Sequence, residues 1–188
     1  WLSRALKVMF FIHMICKAAT EYNCAERLME LITKYWSCPV DRATVQAENV
    51  NSEETVDVAL DGSAPVVHVF KTISEAHVGE LSFFRVYSGS VSTGMDLQNT
   101  TRGNSERFGQ MFLMNGKDRT SVPSLNACDI GAVVKLKDTH TGNTLTGPSN
   151  KVKLSSVRLP NSNIHLGIRS KSKADEERID MVLSTNQE

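Results

Sequence analysis

The chain has 188 residues, with 21 basic and 21 acidic side chains and a formal net charge of zero. Four cysteines, Cys16, Cys24, Cys38 and Cys128, form no Cys-x-x-Cys pair, and the five histidines stand singly, which excludes a zinc framework or a disulfide scaffold and points to reduced thiols. The length suits one ordinary domain, or one domain flanked by pieces of others. Because the sequence opens at Trp1 without a methionine and stops in polar sequence at Glu188, a fragment is expected.

Charge is unevenly placed. Residues 1–65 hold 6 basic and 9 acidic side chains, residues 66–158 hold 11 and 7, and residues 159–188 hold 4 and 5. The middle segment is therefore cationic by four charges, compatible with docking on a polyanion.

In chain order, Val8 to Ile12 reads as a short buried strand, since a brief apolar run is bounded by charge. The longer run from Val8 to Cys16 falls short of the about 20 residues that cross a bilayer, and Lys17 closes it without a small-residue cleavage site, which argues against secretion. Ala25 to Trp36 reads as an amphipathic helix with Leu28, Leu31, Ile32 and Tyr35 on one face, ended by Pro39. Residues 41–65 are polar and acidic and read as a linker, with a brief strand over Val56 to Leu60 and a turn at Asp61-Gly62.

From Val66 the pattern changes to short alternating segments separated by turn residues, the signature of an all-β barrel or sandwich. Strands are expected over Val66–Lys71, Leu81–Tyr87, Met95–Thr100, Arg107–Met114, Gly131–Lys137 and Val152–Arg158, and residues 66–158 suffice for one closed antiparallel barrel. Within this region Leu81, Phe83, Arg85 and Tyr87 alternate with Ser82, Phe84 and Val86, and Ser88-Gly89 and Thr93-Gly94 supply tight corners, so Val78 to Leu97 reads as a hairpin. Arg102-Gly103-Asn104-Ser105 and Asn115-Gly116-Lys117-Asp118 read as further hairpin loops. The tail from residue 159 reads as a strand over Asn163 to Arg169 and the start of a helix from Ser172, with acidic residues near its positive end.

No phosphate-binding loop, Gly-x-x-x-x-Gly-Lys-Ser/Thr, and no guanine signature, Asn-Lys-x-Asp, is present; the nearest lookalike, Asn115-Gly116-Lys117-Asp118, is a turn. There is no nucleophile elbow, and His140 stands in a loop without a patterned partner, so no catalytic residue and no metal site is assigned. An arginine within a strand, Arg85, is expected to make a fixed internal or domain-interface ion pair.

The ordered residues Gly79, Arg85-Val86-Tyr87-Ser88-Gly89, then Asp129-Ile130, Leu136-Lys137-Asp138 and Thr141-Gly142-Asn143-Thr144-Leu145, resemble the second domain of elongation factor G, the GTP-driven ribosomal translocase. The resemblance implies a mainly β chain built on a domain II barrel (66–158). Flanking it would be a strand-helix end of the GTP-binding domain (1–40) and the strand-helix start of domain III (159–188), which Lys171 to Asp175 is similar to. It departs from the family where Cys128 and Lys135 replace glycines, where Asn143 replaces an aspartate, and at the guanine-recognising Ser-Ala pair, which aligns with Lys17-Ala18. These departures suggest a divergent paralogue.

By resemblance the parent is a cytoplasmic, monomeric translational GTPase that binds GTP and magnesium outside this chain, promotes movement of tRNA and mRNA, and leans on the small ribosomal subunit. The chain itself would use no cofactor, touch no membrane and perform no hydrolysis. The cations expected to meet RNA are Arg102 and Arg107 on one hairpin and Lys117 and Arg119 on the next. Alternatives are a ribosome-protection or peptide-release factor on the same barrel, and a free-standing β-barrel interaction module.

Overall fold

A computed structural model describes residues 25–75, 79–156 and 164–185. The expected strand over Val8 to Ile12 and the Lys17-Ala18 position lie outside them. The chain divides into a unit over Trp1–Arg42 and a larger one over Ala43–Glu188.

In the first unit, helix α1 (Ala25–Tyr35) forms where the apolar spacing predicts it. Glu30 takes Lys34 at 3.3 Å and Arg27 at 3.8 Å along its exposed side, while Leu28, Leu31 and Tyr35 are half-buried. A single 3-10 turn, Pro39–Asp41, follows, held by the Cys38 amide donating to Asp41 Oδ2 at 2.9 Å.

The second unit is mainly β. Its strands are β1 (Thr44–Asn49), β2 (Thr55–Ala59), β3 (Val66–Glu75), β4 (Gly79–Ser88), β5 (Ser90–Ser92), β6 (Asp96–Asn99) and β7 (Asn104–Arg107). These continue with β8 (Met111–Asn115), β9 (Asp118–Val122), β10 (Ser124–Asn126), β11 (Ile130–Val134), β12 (Thr144–Thr146) and β13 (Val152–Leu154). Eight of them form one antiparallel sheet in the order β7-β6-β12-β3-β4-β11-β8-β9; β13-β1-β2 form a second sheet and β10-β5 a two-stranded ribbon. The main core draws on the whole large sheet and the ribbon: Val67, Val69, Phe84, Val86, Leu97, Met111, Val133 and Leu145 join Val91 and Leu125, and Phe84 meets Phe108 edge to face at 5.1 Å. A smaller core, Ala47, Val58, Val66, Val152 and Leu154, sits under the three-stranded sheet.

Several expectations are revised. The strand ladder is not a closed ring: β7 and β9 end the large sheet. Between the strands, turn hydrogen bonds take over, Gly94 N to Phe108 O at 2.7 Å, Phe108 N to Met95 O at 2.8 Å and Thr93 N to Pro123 O at 3.0 Å. The segment Val78 to Leu97 is not one hairpin, because β4 pairs with β3 and β11 while β5 pairs with β10. Gly89 explains the departure. Its φ is 67°, and a Cβ there would meet the Ala64 carbonyl carbon at 2.8 Å, so the chain turns out of the sheet against the backbone preceding β3.

Within residues 41–65, expected as a linker with a brief strand over Val56 to Leu60, that strand forms as β2, and an unexpected strand β1 pairs with it from Thr44↔Ala59 to Glu48↔Thr55, burying Ala47 and Val58 against β13. The expected strand Arg107–Met114 is broken between β7 and β8, where Phe108 turns into the core. Strand β11 stops at Val134, before the left-handed Lys135 at φ 61°. Strand β13 ends at Leu154.

The expected strand does not form over residues 164–169, where Ile164, Leu166 and Ile168 are 75%, 87% and 65% exposed. Helix α2 (Lys173–Thr185) begins behind Ser172, whose hydroxyl accepts from the Asp175 amide at 3.2 Å and donates to Asp175 Oδ2 at 2.7 Å. No described helix is long and apolar enough to cross a membrane.

Candidate functional site

Two hairpins present the cations singled out in the sequence. Strands β6 and β7 pair from Asp96↔Arg107 to Asn99↔Asn104 and hold Arg102 in the loop between them; β8 and β9 pair from Met111↔Val122 to Asn115↔Asp118 around a two-residue loop, Gly116-Lys117. Gly116 adopts φ 61°, as such a tight loop requires. In the sheet order the hairpins lie at opposite ends, separated by β12, β3, β4 and β11, so hydrogen bonding does not bring the four cations into one cluster.

The four differ in environment. Lys117 is exposed at its tip, and Arg119 is half-buried opposite Met114. Arg107 is exposed and stands opposite Asp96, so a carboxylate is its ladder neighbour. Arg102 is ion-paired, its Nε 3.1 Å from Asp138 Oδ1, with both side chains nearly half exposed. Such a pair contributes about 0–1 kcal/mol and yields readily to a competing anion.

Asp138 belongs to a loop, residues 135–143, whose anchor lies below the surface. Glu106 on β7 is 2% exposed and its carboxylate is surrounded by donors. The Asp138 amide donates to Oε1 at 2.7 Å, the Thr139 hydroxyl to the same oxygen at 3.1 Å, the Lys137 amide to Oε2 at 3.0 Å, and Asn104 Nδ2 to Oε1 at 3.3 Å. Asn99 completes the network. Its amide nitrogen donates to Asn143 Oδ1 at 3.0 Å and Thr139 Oγ1 at 3.2 Å, while its oxygen accepts from the Thr101 and Arg102 amides at 3.1 Å each. One buried lattice of side chains therefore fixes both Arg102 and the loop that carries its counter-ion.

Sequence reading found the hairpin cations but not Glu106, which looks like any polar residue of an exposed strand. The signal that could have found it is the Asn-rich surroundings, Asn99, Asn104 and Asn143, residues that hydrogen-bond local backbone. The departure at Asn143 is harmless here, since its Oδ1 accepts from Asn99 Nδ2 and the His140 amide as a carboxylate would. The departures at Cys128 and Lys135 are not neutral, because both residues occupy left-handed backbone, at φ 79° and 61°. A cavity of about 350 Å³ beside this region is lined by Val50, Asn51, Gln98, Asn99, Gly103 and Lys151 among others, and its lining includes no carboxylate, histidine or cysteine. Arg85, expected in an ion pair, lies with its guanidinium carbon 5.1 Å from the centre of the Tyr87 ring, and no carboxylate pairs with it among the described residues.

The class that this architecture defines is a mainly β body whose loops are braced from beneath by a buried carboxylate. Residues 65–147 match the family model described as elongation factor G domain 2. A crystal structure from Thermus thermophilus is similar at 25% identity and a TM-score of 0.63, over 86% of this chain and 22% of that one. The chain thus spans about a fifth of the length of that relative.

Proposed function

We propose that this chain is the domain II region of an elongation factor G-like translational GTPase that promotes GTP-dependent movement of tRNA and mRNA. In this reading the large sheet and its ribbon form a docking shoulder against the RNA and protein of the small ribosomal subunit. GTP and magnesium are handled by a nucleotide-binding domain elsewhere in a cytoplasmic, monomeric parent. The observation that carries the reading is the domain 2 match over residues 65–147.

Lys117 and Arg119 on one hairpin, and Arg102 and Arg107 on the other, are the groups that meet phosphate. Arg102 reaches it by exchanging Asp138 for the RNA backbone. Binding of this kind reads charge and shape rather than bases and weakens as salt rises.

The test measures association of the full-length parent with purified small subunits between about 50 and about 200 mM salt. Arg102→Glu combined with Lys117→Glu weakens binding and lowers the slope of log K against log salt by about two units, one per lost phosphate contact. Asp138→Asn, which releases Arg102, tightens binding. Unchanged affinity and slope in the double variant remove the hairpins from the contact.

A further inference from the structure

One row of side chains on the β3–β4 pair is not explained by the hairpins. His68 stands opposite Arg85 across the β3–β4 ladder, and Ile130 stands opposite Arg85 across the β4–β11 ladder. Residues paired across a ladder share a face, and Tyr87, two positions along β4, shares it too. Tyr87 joins the group. The Arg85 guanidinium carbon lies 5.1 Å from its ring centre, the His68 ring meets it edge to face at 6.5 Å, and Tyr87 also packs against the smaller core.

Two nitrogens in this row are buried without a hydrogen-bond partner, His68 Nδ1 and Arg85 Nε, and His68 as a whole is only 7% exposed. Arg85 makes no ion pair with a carboxylate among the described residues. Orphaned buried polar nitrogens and uncompensated charge are costly enough that folds complete them, from within or from outside. Beside them Ile130 leaves 52% of its surface exposed. Burial also holds the His68 imidazole below its ordinary 6.5, so at neutral pH the row carries the single positive charge of Arg85.

We propose that His68, Arg85, Tyr87 and Ile130 form a protein-docking site that receives one carboxylate side chain projecting from an apolar patch of a partner protein. The guanidinium fork, its plane set by Tyr87, matches a carboxylate in two contacts, and Ile130 covers apolar surface beside it. A nucleic-acid backbone fits less well. It presents charges in series, yet the neighbouring cation on this face, Lys71, already lies 6.0 Å from the Phe83 ring centre, and Ile130 would gain nothing from hydrated phosphate. The site stands on groups separate from the cationic hairpins, and its fate is independent of theirs.

The test follows the Arg85 Nε–H and His68 imidazole resonances of the labelled full chain during titration with sodium acetate, sodium 3-methylbutanoate, sodium dimethyl phosphate and sodium chloride at matched ionic strength. Acetate gives a saturable shift that chloride does not, and 3-methylbutanoate saturates at a concentration lower by about fourfold for each methylene covered. Arg85→Gln removes both responses. Ile130→Ser, at the exposed first position of β11 where folding is readily checked from the amide spectrum, keeps acetate binding and loses the preference for the branched acid. Equal responses to acetate and chloride overturn the proposal, and so does tighter saturation by dimethyl phosphate than by 3-methylbutanoate, which would assign the row to nucleic acid.

Discussion

Substitution of Glu106 separates a braced loop from one that merely rests on the sheet. Its carboxylate receives four donors, three at Oε1 and the Lys137 amide at Oε2. In Glu106→Gln the shape is kept, but one oxygen becomes an amide nitrogen that cannot accept. If Oε1 keeps its three donors, the Lys137 amide loses a bond to a charged acceptor and faces another donor, a loss of about 2 kcal/mol. Glu106→Ala orphans the Lys137 and Asp138 amides together and leaves a small cavity at a residue 2% exposed, for about 4 kcal/mol. Urea unfolding at pH 7 with an unchanged m-value measures both, and amide hydrogen exchange locates the effect at residues 137–139. A Glu106→Gln variant within about 0.5 kcal/mol of the parent, with unaltered exchange there, would refute the account of the loop.

Two further outcomes are expected. Cys128→Gly with Lys135→Gly relieves left-handed backbone at φ 79° and 61°. Each relief is worth about 1–2 kcal/mol, offset by about 0.5–1 from glycine's greater freedom when unfolded, so the double variant gains about 1.5 kcal/mol and about 3–6 °C in melting temperature; a lower melting temperature counts against the strain. Because burial lowers the His68 pKa below 6.5, the unfolded chain binds a proton that the folded one resists. Stability contributed by neutral His68 is complete above pH 6.5 and declines as pH falls below it, so the urea midpoint drops between about pH 7.5 and pH 5, and His68→Gln flattens that drop. An equal slope in parent and variant would show that other groups cause it.

What could be read in advance follows the range of the forces involved. The β4 alternation, the Gly116-Lys117 turn and helix α1 were visible because each depends on neighbours within a few residues. Strands β5, β10 and β12 are three residues long and carry no period of their own; they exist because distant strands supply hydrogen bonds. Thr144 and Thr146 are wholly buried, yet composition marks them as loop residues; Thr144 is accommodated because its hydroxyl accepts from the Leu154 amide at 3.0 Å. Strand β2 was visible as a brief apolar alternation, whereas β1 was hidden because only Ala47 is fully buried on it and Glu48 points away from that covered face. At the candidate site, Arg102 and Lys117 were legible as loop residues, whereas the Arg102–Asp138 pair and the carboxylate beneath it join residues more than 30 positions apart.

The pairing of β1 with β13 has a mechanical consequence. These strands run antiparallel with Ala47 beside Leu154 and Asn49 beside Val152, so the residues preceding β1 and those following β13 leave from the same end of the pair. Tension applied through both flanks would load that end alone, and the bonds of the seam would part in sequence instead of sharing the force, as they do when strands are sheared lengthwise. The two flanks can therefore be drawn apart by a modest pull while the larger sheet and its aromatic centre stay intact.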